Sequence, residues 1–100
     1  MSPIERLIQL LQNLKSGKHQ FLFPLEVGSL ENYLNGFRGA CAACGHEVQR
    51  RLRAQVLERR GWKNAAAGPV PQMKAKGFTE EGMMDELIEI EIELLRSLVK

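Results

Sequence analysis

The stretch Phe78 to Lys100, FTEEGMMDELIEIEIELLRSLVK, constrains the fold more than any other part of the chain. Thr79 is a good helix N-cap, Glu80 and Glu81 stand in the first turn where the helix dipole favours negative charge, and Phe78 and Met83 have the spacing of a hydrophobic staple. At 3.6 residues per turn, Met83, Met84, Leu87, Ile88, Ile90, Ile92, Leu94, Leu95, Leu98 and Val99 cover roughly 200° of a helix surface. An ordinary surface helix carries an apolar stripe about half as wide. This helix therefore needs partners on more than one side: the rest of a small domain, and beyond it a second copy of the chain or another protein. Glu91 falls near the middle of the apolar arc. A carboxylate there is costly to bury unless it is paired, and Arg38 or an arginine of the third predicted helix is the expected partner; failing that, Glu91 faces solvent or a subunit interface. The alternation over Glu89–Glu93 also fits a strand, but the cap, the staple and the length favour helix.

Three further helices precede it. Ser2-Pro3-Ile4-Glu5 combines an N-cap serine, proline at the first helical position and glutamate at the third, so a helix over 3–15 is predicted, with Ile4, Leu7, Ile8, Leu10, Leu11 and Leu14 on one face. Ser29 is the expected cap of a second helix over 30–44. Leu30, Tyr33, Leu34, Phe37, Ala40, Cys41 and Cys44 share its inner face and Gly45 ends it. A third helix over 47–60, stopped by Gly61, has only Val48, Leu52 and Val56 as its stripe and is otherwise basic; Trp62 is expected to fold back onto the core. Between the first two helices, Phe21, Leu22, Phe23 and Leu25 are read as an irregular apolar loop that plugs the core around Pro24. Residues 63–77, rich in alanine, glycine and proline, are read as a long crossover loop. The expectation is a single all-α, four-helix domain over residues 1–100.

With 100 residues and 44% apolar content, such a domain has a core of its own. No apolar run reaches about 18 residues, so no membrane span is expected. The chain opens on a capped helix and not on a basic-then-apolar leader, which makes a cytoplasmic location the expectation. The charges are segregated. His46–Lys63 holds five arginines and one lysine against Glu47 and Glu58, a local +4, while Thr79–Lys100 holds seven acids against Arg96 and Lys100, a local −5. Either the two segments pack side by side or one of them faces a charged partner.

No catalytic or metal signature stands out. Cys41-Ala-Ala-Cys44 lies at a helix C-terminus and in the apolar stripe, the wrong end for a thiol activated by the dipole, and with His19 and His46 it makes a poor zinc set. His19 and His46 have no neighbouring group that would complete a triad. No cofactor is expected, and the chain reads as a non-enzyme. Arg50, Arg53 and Arg60, with Gly45-His46 separating two helices, suggest a DNA-binding regulator as an alternative.

The run Phe23-Pro24-Leu25-Glu26-Val27-Gly28-Ser29-Leu30, then Tyr33-Leu34-Asn35-Gly36-Phe37-Arg38 and Ala40-Cys41, resembles a group of small helical immunity proteins of bacterial polymorphic-toxin systems. The likeness extends to Trp62 and to the acidic, Leu/Ile-rich last helix. The resemblance implies a protein that binds and blocks a cognate toxin, and it fixes no binding residue. On the charge pattern, the expected contact surface is the acidic helix, through Glu86, Glu89 and Glu93, or the arginine helix. An acidic face would suit a basic nuclease toxin. Homodimerisation through the wide last helix is compatible with either surface.

Overall fold

The computed structural model describes residues 2–98; the expected extension of the last helix to Val99 lies outside them. In chain order come α1 (Pro3–Ser16), a 3₁₀ turn (Lys18–Gln20), α2 (Val27–Ala43), α3 (Arg50–Arg59), α4 (Val70–Ala75) and α5 (Glu80–Ser97). Among the described residues there is no strand, and the Glu89–Glu93 alternation lies within α5.

The caps at both ends of the chain form as their residues dictate. Glu5 N–H donates to Ser2 Oγ and Ser2 N–H donates back to Glu5 Oε1, both at 3.1 Å. Those two bonds, the backbone one foremost, hold the Glu5 carboxyl below its ordinary pKa. Thr79 Oγ1 accepts from Gly82 N–H at 3.0 Å and opens α5.

Four local expectations need correction. The stretch 63–77 is not all loop, because α4 forms inside it. Pro71 sits in its first turn, where a missing N–H leaves nothing unsatisfied, and Val70 and Met73, three residues apart, are both buried. The second helix begins at Val27 and not after Ser29: Val27 N–H donates to Glu80 Oε2 at 2.6 Å, so the first turn of α5 supplies the cap from across the fold. The third helix begins at Arg50 and not Glu47, since Gln49 is extended at φ −70°, ψ 150°. Finally, only Leu22 of the apolar loop plugs the core; Phe21, Phe23 and Leu25 are exposed, Phe23 at 97%. The chain there is not helical, and of its side chains Leu22 alone turns inward.

Helices α2, α3 and α4 all stop in the same way. Gly45, Gly61 and Gly77 take positive φ (86°, 88° and 83°), which only glycine adopts without strain. The next residue then donates its N–H back to the carbonyl five residues earlier, His46 to Cys41, Trp62 to Leu57 and Phe78 to Met73, the Schellman pattern. Two of those stops deliver aromatic rings to one place: Trp62 and Phe78 meet edge to face with centroids 5.5 Å apart. Trp62 is buried, as expected, while Phe78 spends its ring on Trp62.

The core is organised around α5. Helices α1, α2, α3 and α4 each pack on it, and their closest backbone approaches are to α5 and not to one another. Met83, Met84, Leu87, Ile88, Ile90, Ile92, Leu94 and Leu95 are buried there against Leu11 and Leu14 of α1, Leu30 and Leu34 of α2, Val56 and Leu57 of α3, and Met73 of α4. Each such side chain contributes roughly 1.5–3 kcal/mol on burial. The molecule is flat, 36 × 31 × 18 Å, about two helical layers thick. Neighbours from the same chain thus cover the wide apolar arc, and no large apolar side chain of α5 is exposed. The arc whose width made a homodimer through this helix conceivable is thus filled from within the chain.

Candidate interaction surfaces

The flanking elements of α5 are tied to it by charge as well as by apolar packing. All seven of its acids find partners within the chain. Glu80 caps α2 through Val27 N–H. Glu81 and Asp85 face Lys18, whose ammonium lies 3.6 Å and 2.6 Å from them. The Asp85 contact is an ion pair without hydrogen-bond alignment; Lys18 Nζ donates instead to the Lys15 carbonyl at 3.0 Å. Lys15 itself meets Glu89 at 2.7 Å, and that bond raises the lysine's pKa.

Glu86 and Glu93 share Arg60. Arg60 Nε and Nη2 make a two-pronged contact with the Glu86 carboxylate at 2.8 and 2.7 Å, while Nη1 donates to Glu93 Oε1 at 2.9 Å. The Glu86 bond, more than any other, raises Arg60 further above its ordinary range. Trp62 Nε1–H donates to Glu86 Oε2 at 2.8 Å, and Arg59 lies 3.3 Å from Glu93. Burial pushes the Glu86 carboxyl up, but the bonds from Arg60 and Trp62 outweigh it and hold the group below its usual range.

Glu91, 3% exposed, accepts on one oxygen from both Arg38 and Arg53. Arg38 reaches Oε1 through Nε at 2.7 Å and through Nη2, and Arg53 reaches it through Nη1 at 2.8 Å. Both expected partners are therefore present at once. Glu91 Oε2 accepts no hydrogen bond from the described residues.

Of the residues expected to carry binding, Glu86, Glu89, Glu93, Arg53 and Arg60 are thus occupied in seams between helices. The +4 and −5 segments pack side by side. Arg50 is exposed at the start of α3 and makes no ion pair among the described residues. Of the two cysteines, Cys41 is buried and Cys44 exposed, and burial pushes the Cys41 thiol up, away from a reactive thiolate. His19 is exposed and His46 half-buried. Among the described residues no three His, Cys, Asp or Glu side chains are grouped to hold a metal, and no helix is long and apolar enough to cross a membrane.

The surface feature missed from sequence is apolar. Phe21, Phe23 and Leu25, on the turn that leads into α2, stand out at 43%, 97% and 52% exposure. Phe21 leans on Tyr33 edge to face at 6.5 Å, which anchors the turn's base, while Phe23 touches nothing that would shield it. The signal available in the sequence was density: four large apolar residues within five positions, more than one short turn can bury.

Comparison with family models, curated proteins and solved structures finds no match for the chain.

Proposed function

We propose that this chain is a non-catalytic protein-binding module, most concretely an immunity-type inhibitor that binds and blocks a protein partner. The observation that carries the reading is the exposed apolar turn Phe21–Leu25 on a domain whose other large apolar side chains are mostly covered. Holding an aromatic ring fully in water is unfavourable, and exposed aromatics beside a rigid helix are the usual anchors of protein interfaces. The turn also lies at the start of the segment that resembles immunity proteins. In this reading the contact passes from the acidic helix, whose glutamates are engaged, to the turn. The resemblance suggests a cognate toxin as the partner; a basic nuclease is suggested by the acidic face, whose glutamates are engaged within the chain.

The alternative, a DNA-binding regulator, keeps Arg50 as an exposed charge, while Arg53 and Arg60 are held by carboxylates.

The test is capture from the source organism with the wild-type chain beside Phe23→Ser. The expected result is one stoichiometric protein retained by wild type and lost by the variant. Hydrogen exchange on the purified complex should then show protection over residues 19–26. Retention by both chains, or protection elsewhere, overturns the assignment of the turn. Recovery of nucleic acid alone, with affinity falling log-linearly in salt, favours the DNA-binding alternative.

A further inference from the structure

The four charged seams of α5 differ in balance. Lys15 against Glu89 is neutral, as are Arg59 and Arg60 against Glu86 and Glu93. Lys18 against Glu81 and Asp85 has an excess of negative charge. Only Arg38 and Arg53 against Glu91 leave a positive charge over. The two side chains are part-exposed, 26% for Arg53 and 37% for Arg38, so the surplus charge is partly withdrawn from water. A half-buried charge without its counter-ion is unfavourable, and an anion relieves it.

Space for one lies alongside. A cavity of about 260 Å³ opens between the end of α2 and the start of α3, with Arg38, Arg53 and Glu91 on one wall and Phe37, Val48 and Leu95 among its apolar lining. Arg53 Nε and Nη2 donate to no described residue, which leaves them for a ligand. Glu47, also on the rim, is exposed and forms no ion pair with either arginine. We propose that this cavity binds a small carboxylate with an apolar body, the carboxylate held by Arg53 Nε and Nη2, drawn by the surplus charge of the Arg38–Glu91–Arg53 cluster, and the body packed on Phe37, Val48 and Leu95. The Nε–Nη2 edge of one guanidinium suits the planar, two-oxygen shape of a carboxylate, and on Arg38 that edge is taken by Glu91, with Nη1 donating to Asn35 Oδ1 at 2.9 Å. The volume admits a molecule of roughly ten heavy atoms, just below the usual range of ligand sites. This site is separate from the Phe21–Leu25 turn and does not depend on it.

Benzoate is the probe, titrated calorimetrically into the full chain beside benzamide, which has the same body without the charge, and inorganic phosphate, which has charge without the body. The expected result is one-to-one benzoate binding with a Kd of about 1 mM or below, and at least tenfold weaker binding of the other two. Arg53→Gln leaves Arg38 and Glu91 as a balanced pair and should weaken benzoate at least tenfold. Ala42→Phe fills the cavity from its rim, leaves both arginines in place and should abolish binding, so loss through misfolding of one variant does not decide the question; circular dichroism checks both. Absence of saturable benzoate binding, equal binding of benzamide or phosphate, or unchanged binding by a folded Ala42→Phe chain each overturns the proposal.

Discussion

Glu91 is one carboxylate serving two guanidiniums, and that stoichiometry makes substitution unequal. Glu91→Gln strips the counter-ion from both Arg38 and Arg53 inside a packed seam. Removing one member of a buried pair costs several kcal/mol, and because both arginines reach water in part we expect about 2 kcal/mol, read as a lower urea midpoint with an unchanged slope. Arg53→Gln leaves Glu91 still bonded to Arg38 and should cost under about 1 kcal/mol. Equal losses from the two would mean that the seam is held by packing and not by charge. Phe23 gives the opposite case. Its ring is exposed to water, so Phe23→Ser should leave stability within about 0.5 kcal/mol of wild type, which makes it a clean probe of binding. Glu86 brings pH into play. Its folded-state pKa is depressed, so its contribution to stability is present above the ordinary glutamate value of 4.5 and is lost as pH falls through the lower folded-state value. Trp62 is the only tryptophan and donates to that carboxylate, so its emission should change over the same acid range. In Glu86→Gln that acid transition should disappear from the fluorescence, and the stability curve should flatten below pH 4.5.

Among the helices, the cap of α2 sets sequence reading against structure most directly. Ser29 has the residue type, but the helix is already under way at that position and Glu80 holds its first N–H. Glu80→Ala should therefore lower the melting temperature by an amount equivalent to about 1 kcal/mol, with Ser29→Ala near silent; the reverse order would restore Ser29 as the cap. The contrast shows what sequence discloses. Signals carried within four residues were legible: the Ser2–Glu5 capping box, Thr79 before α5, and glycine after α2 and α3. α4 was hidden because the alanines, prolines and glycines of the surrounding 63–77 stretch read as loop, although Val70 and Met73 already had helical spacing and Gly77 marked the stop. What depends on distant neighbours was only half legible. The odd charge at Glu91 was visible as needing an arginine, and Arg38 and the third helix were the right candidates, but that both would bind one oxygen depends on how α2 and α3 lie against α5. The same gap hid the turn at Phe21–Leu25, whose apolar density looked like core.

Because α1 to α4 contact α5 more closely than one another, the fold should come apart in one step. Ile88 is fully buried at the centre of the hub. Ile88→Ala should cost about 2–4 kcal/mol, a large share of the stability of a domain this size, and helical ellipticity and Trp62 fluorescence should still lose their signals together. Separate transitions would show that a pair of helices holds together without α5. The order of the chain gives this hub a further meaning. On the ribosome the helix that joins all the others is made after them, so everything before Glu80 emerges with its apolar faces uncovered and must wait, in the care of chaperones or at risk from proteases, until α5 arrives. The same dependence would let a separate peptide carrying α5 rescue a chain cut in the Gly77–Phe78 connection, switching the domain on by supplying its last helix in trans.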